Sequence, residues 1–156
     1  MNSGRHLLVD GANILHAWRE LRELVKRDRD AARARLVSSL APIHDAGTAR
    51  VTIVFDGRGD ELVVEHPAEL KSFAVIHTPS NLTADDVIEQ MVANSAEAAT
   101  CIVATDDQAE RETVMAAGAT AIRSDELEAW AQRASSRQTD AVKALRTANA
   151  RAWKAP

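Results

Sequence analysis

Val51-Thr52-Ile53-Val54-Phe55-Asp56-Gly57 is the stretch on which the fold turns. Five residues rich in β-branched and aromatic side chains, almost without polar alternation, read as a strand covered on both faces. The run stops at aspartate-glycine, a turn dipeptide. The same build recurs on either side of it. Leu7-Leu8-Val9 stops at Asp10-Gly11, and Cys101-Ile102-Val103-Ala104 stops at Thr105-Asp106. Phe73-Ala74-Val75-Ile76 runs into a loop over His77-Thr78-Pro79-Ser80-Asn81, and Ala121-Ile122 makes a brief fifth strand.

Helical patterns fill the intervals. Leu15, Trp18, Leu21 and Val25 share one face of a helix over residues 14–26. Ala32, Leu36, Val37 and Leu40 do so over 29–44, where Pro42 predicts a kink or an early end. Further helices are expected from Thr83 to about Ala96, from Asp107 to Ala117 with a stop at Gly118, and from a Ser124 cap through Leu127 and Trp130. Residues 61–71 favour neither state. Strands alternating with helices predict a three-layer α/β/α fold around a mostly parallel sheet of about five strands. The polar stretch from Ala134 to Thr139 reads as a break, dividing a domain over 1–134 from a basic, helix-forming tail over 135–156.

The composition excludes several classes. The chain has 156 residues, 46% hydrophobic and 27% charged, as an ordinary globular domain does. No apolar run approaches the roughly 20 residues of a membrane span, and the start from Met1 to His6 lacks a signal peptide's apolar stretch. One cysteine, Cys101, lies in an apolar run and reads as an inert buried thiol, which suits the cytoplasm. The five histidines show no zinc spacing. Neither a P-loop, a dinucleotide-binding glycine motif nor a G-x-S-x-G elbow is present. The net charge of −4 divides into −9 over residues 1–132 and +5 over 133–156. Such a tail is either a solvated helix or a surface that meets phosphates.

Acids gather where the strands end. Asp10, Asp56, Asp85, Asp86 and Asp106 all stand at strand ends or at the helix starts that follow them. In an open α/β sheet that edge is where ligands bind. Each acid has a plainer reading. Asp10-Gly11 and Asp56-Gly57 are turn dipeptides, and Asn13 suits an N-cap. Thr83 with Asp86 fits a capping pattern, and Thr105 with Gln108 another. Glu110, four residues beyond Asp106, falls on the same side if a helix starts at once. Jointly the carboxylates repel one another unless a cation sits among them, and a hard divalent ion prefers oxygen ligands. Trp18 is a candidate base-stacking residue or a core residue, and Arg58 a candidate phosphate contact or a plain surface arginine.

Four motifs in order carry a resemblance: Val9-Asp10-Gly11-Ala12-Asn13-Ile14, Val54-Phe55-Asp56, Thr83-Ala84-Asp85-Asp86-Val87-Ile88-Glu89 and Val103-Ala104-Thr105-Asp106-Asp107-Gln108-Ala109-Glu110. Over about residues 5–132 the chain resembles the NYN domain family, its YacP-like branch in particular, within the PIN-like nuclease superfamily. The resemblance implies a PIN-like fold and a Mg²⁺- or Mn²⁺-dependent endoribonuclease leaving 3′-hydroxyl and 5′-phosphate ends. It implies RNA as partner, ribosome-associated mRNA included. Asp10, Asn13, Asp85 and Asp106 match the family's most typical positions. Asp56, Asp86 and Glu110 would be further or outer ligands, and Asn13, Arg58 and Trp18 would meet substrate. Ala12 stands where members often have an aromatic residue, and the chain has no tyrosine. The alternatives are an RNA- or ribonucleoprotein-binding module with little catalysis, and another metal-dependent phosphoesterase or DNA nuclease.

Overall fold

A computed structural model describes residues 4–154, with side chains for 4–152. Met1 to Ser3, part of the start inspected for a leader, and the side chains of Trp153 and Lys154 lie outside the described residues. Six strands form one sheet in the order β3-β4-β2-β1-β5-β6. They are β1 (His6–Asp10), β2 (Arg50–Phe55), β3 (Val63–Glu65), β4 (Phe73–His77), β5 (Cys101–Ala104) and β6 (Thr120–Ile122). All neighbouring pairs are parallel except β3 with β4. The five expected strands are present, and the ambiguous stretch over 61–71 supplies the sixth at an edge, exposed along its length.

Side chains of β1 point alternately to the two faces. Leu7 and Val9 enter a core under α1 (Gly11–Ala17), α2 (Arg19–Arg27), α3 (Arg29–Asp45) and the first half of α6 (Ser124–Lys154). Leu8 enters a second core under α4 (Ala84–Ala93) and α5 (Gln108–Ala116). The chain leaves β1 toward β2 and β4, then returns through α4 to place β5 on the other side of β1. The strand order therefore reverses between β1 and β5, and a crevice opens at the carboxyl ends of strands flanking such a switch. Asp10 ends β1, and Asp106 follows β5 by two residues.

Four expectations are corrected. The helix expected over 14–26 begins at Gly11 and is broken at Trp18, whose backbone is extended. Trp18 is buried, and its indole N–H donates to the Ser124 carbonyl at 2.9 Å, so the bend seats the ring against the start of α6. Of the kink or early end expected at Pro42, the early end does not occur: the proline sits in the last turn of α3, and Ile43 and His44 after it are buried. The helix opening at Thr83 ends at Ala93 rather than Ala96. The polar stretch over 134–139 is no break: α6 is continuous. It contains neither glycine nor proline, and Thr139 returns its hydroxyl proton to the Ser135 carbonyl within the helix. Leu127, Ala131 and Ala134 of α6 are buried, while every residue from 135 to 152 is exposed, so the basic half projects from the body.

Candidate active site at the β1–β5 crevice

Each acid enters the site through the start of a helix. Asp10 caps α1, and its Oδ1 accepts the Asn13 N–H at 3.3 Å. Gly11 is required at this turn, because a Cβ there would strike the Phe55 ring and come within 2.9 Å of the Val54 carbonyl. Across the crevice, the Asn13 side-chain oxygen accepts the Asp106 N–H at 2.9 Å, tying the end of β1 to the loop after β5. Asp106 accepts from Ser124 twice, from N–H at 2.8 Å and from the hydroxyl at 2.6 Å. Trp18 holds the Ser124 carbonyl from the other side. A chain of contacts thus fixes Asp106 from the core outward.

Asp56 is exposed and accepts the Ala84 N–H at 2.8 Å, fastening α4 to the end of β2. Gly57 leaves the turn after it just enough room, since a Cβ there would overlap the Thr78 carbonyl. Asp85 accepts from the Thr83 hydroxyl at 2.5 Å. Asp86 closes a capping box: it accepts the Thr83 N–H, while the Thr83 hydroxyl accepts the Asp86 N–H. Asp86 is therefore occupied as a helix cap and lies exposed.

Glu110 differs from all of these. Its residue is 2% exposed, and neither carboxylate oxygen meets a donor at hydrogen-bond geometry. Burial, the adjoining Asp10 carboxyl and the more distant Asp85 push its pKa up to about 9, against the nearby Thr105 hydroxyl, which lowers it. Asp10 is raised as well, by burial first and by the charges of Asp85 and Asp56, against the Asn13 N–H and the Glu110 carboxyl that lower it. Without a cation the two buried acids hold a proton between them at neutral pH. The expectation that Glu110 lines up with Asp106 is corrected here. Asp107 intervenes as the N-cap of α5, its Oδ1 accepting the Glu110 N–H at 3.0 Å, and the side chain turns toward Asp10 and Asp85.

Asp10, Glu110, Asp85 and Asp56 thus form one electrostatic group, with Asp106 joined to it through the Asn13 amide. Among the described residues, no three His, Cys, Asp or Glu side chains are gathered closely enough to make a ready-built metal shell. The donor set nevertheless suits a hard divalent ion that keeps much of its water. It is all oxygen, and it includes Glu110, a buried carboxylate set beside a second acid. Trp18 is not a stacking platform: it is 8% exposed with its N–H engaged. Arg58 is exposed in the loop after Asp56 and adds its positive charge to the surroundings of Arg33.

Sequence reasoning missed three members of this neighbourhood. Glu89 is raised by burial and by Asp85, Asp86 and Asp107; its spacing of four from Asp85 was the available signal. Ser124 was legible as a helix start but not as the partner of Asp106. Arg33 donates to the Asp56 carbonyl at 3.0 Å and lies 4.9 Å from the centre of the Phe55 ring; nothing local to α3 announces it.

Similarity to known proteins shows the family and the fold. The family model of the YacP-like NYN domain matches residues 7–155. A Bacillus subtilis (strain 168) protein, named "Uncharacterized protein YacP", is 35% identical over 118 residues, 72% of this chain and 66% of its own length. The chain thus spans about two thirds of that relative. A crystal structure of Rae1 (YacP) from Bacillus subtilis superposes with a TM-score of 0.76 at 28% identity, covering 94% of this chain and 84% of that one. A point mutant of the same protein superposes at 0.75, covering 92% and 84%.

Proposed function

Because this chain belongs to the YacP-like NYN domain family, and so has a nuclease-like fold, we propose that it is a divalent-metal-dependent endoribonuclease working in the cytoplasm. One observation carries the reading. Glu110 is buried and shares a proton with Asp10 at the crevice where an α/β sheet binds its ligands. A fold keeps two such acids together at a cost, and a cation relieves it.

Asp10 and Glu110 would hold Mg²⁺ or Mn²⁺, with Asp85 and Asp56 acting directly or through water. When bound, the ion supplies a water activated for attack and positive charge against the phosphate. Asp10 and Glu110 release their shared proton as the ion enters, so affinity rises with pH. Asn13 uses its amide oxygen to hold the Asp106 loop, which leaves its NH₂ group to orient water or a phosphate oxygen. Each Asp106 oxygen accepts one bond from Ser124 and retains a lone pair for water. In-line attack by such a water would leave a 3′-hydroxyl and a 5′-phosphate, with no covalent intermediate needed. Asp86 takes no part in this scheme beyond holding α4.

The acidic body must still attract a polyanion. The projecting half of α6 carries Arg137, Lys143, Arg146 and Arg151 against Asp140, and it is free to lie along RNA. The test follows end-labelled RNA, DNA and a generic phosphate ester with EDTA, Mg²⁺ or Mn²⁺. It uses the whole chain and one ending at residue 136. The reading expects internal RNA cleavage only with metal, and weaker RNA binding with a flatter salt dependence in the shorter chain. Full cleavage in EDTA sinks the mechanism. Binding without cleavage makes the chain an RNA-binding module, and preference for DNA or the ester assigns another phosphoesterase.

A further inference from the structure

A groove of about 780 Å³ lies beside the acids, between α3 and the β3–β4 hairpin. Its lining includes Arg33, Val37, Phe55, His66, Pro67 and His77. That size falls within the roughly 300–1,000 Å³ typical of ligand sites. Phe55 and His77 are the last residues of β2 and β4, so the groove meets the same sheet edge as Asp56.

Resting on the nuclease reading, we propose that this groove is the track for the single-stranded RNA flanking the scissile bond. Arg33 holds a backbone phosphate, and a neighbouring base stacks at His66 and His77. Arg33 is built for the first role. Its guanidinium lies over Phe55 and donates once to the Asp56 carbonyl, while its buried Nε–H has no acceptor. Arg29 and Arg58 lie within electrostatic range of it, with Asp30 and Asp56 as the nearby opposite charges. A phosphate held by the guanidinium relieves the repulsion among these arginines.

Two histidines give this groove its ring surfaces. Bases of single-stranded RNA stack on aromatic or histidine rings, yet Trp18 is buried and no tyrosine exists. His77 stacks on Phe55 with ring centres 5.9 Å apart and is held by Glu65 at 2.5 Å. His66 lies within 3.2 Å of the Phe73 carbonyl through Nδ1, so that nitrogen carries the proton and Nε2 remains for a base edge. The hairpin loop holding this wall contains Ala68 and Glu69, both at positive φ. Strain of this kind in side-chain-bearing residues collects at sites that need a set shape.

The test measures binding of a labelled single-stranded RNA oligonucleotide in EDTA, then cleavage in Mn²⁺, for the full chain and two variants. Arg33→Gln removes the phosphate donor. Ala34→Glu places a negative charge on the groove wall at an exposed helix position that tolerates it. Each should raise Kd about tenfold, with the salt slope of Arg33→Gln falling by about one unit. KM should rise in step while kcat falls far less. Wild-type Kd and salt slope in both folded variants overturn the proposal, even if cleavage is intact. Wild-type RNA binding without cleavage defeats the nuclease reading and still lets the groove be judged from the Kd values.

Discussion

Asp86 and Glu110 occupy the same position on successive helices, the third residue after the N-cap, and meet opposite fates. Asp86 reaches back to the Thr83 N–H, completes a capping box and stays in solvent. Glu110 has no such donor to reach, because the Asp107 N–H is already taken by the Thr105 hydroxyl at 3.2 Å. Its side chain is instead buried against the Asp10 carboxyl, with the Thr105 hydroxyl nearby. An acid satisfied by backbone positions a helix. An acid buried against another acid stores repulsion that a cation can release. The other acids fall between: Asp56 and Asp106 each hold a helix start yet face the crevice.

The sharpest way to break this contrast is Asp10→Asn. It removes the charge that Glu110 is paired with, at nearly constant shape. Metal-dependent cleavage should fall by more than about a hundredfold, beyond the 10–100-fold typical of outer-shell residues. Circular dichroism should show the fold intact, and wild-type turnover would remove Asp10 from the site.

Glu110→Gln comes next and has a signature apart from activity. The folded pKa of about 9 lies above the ordinary 4.5, so between those values the folded chain holds a proton that the unfolded chain has lost. Stability of the metal-free protein should therefore fall as pH rises through that window, by up to about 1.4 kcal/mol per unit. The substitution should flatten that slope and raise the melting temperature near neutrality, while weakening Mn²⁺ binding. An unchanged slope would mean that Glu110 is not the group carrying the proton.

Ser124→Ala tests the intermediate case. It deletes the hydroxyl bond to Asp106 and spares the backbone one, so the carboxylate is loosened rather than lost. Activity should drop about tenfold and stability by about 1 kcal/mol. Equal activity in the variant would show that the N–H alone positions Asp106. Asp86→Ala is expected to have the smallest effect on catalysis. Loss of the cap costs about 1 kcal/mol, seen in urea unfolding, with turnover kept. A loss of turnover like that of Asp10→Asn would return Asp86 to the metal site and undo the comparison.

The sequence by itself determined the layered α/β architecture and the edge on which the acids fall. Buried strands and amphipathic helices are local patterns, and strand ends are marked by Asp-Gly turns and helix caps. The parallel runs ending at Asp10, Asp56 and Asp106 were legible for that reason. Asp86 was legible both as a cap and as a ligand, since spacing cannot tell whether the Thr83 N–H will be its partner. Tertiary structure alone decided the rest. Trp18 turned from a candidate platform into a core residue because Ser124, 106 positions away, offers its carbonyl. The polar stretch before Thr139 stayed helical because polar side chains interrupt a helix only where the backbone is also diverted. Glu110 shows the difference most clearly. Its place on α5 is written in the chain, but its burial and its shared proton arise only where β1 and β5 lie side by side. Burial and through-space charge depend on distances that sequence spacing does not contain.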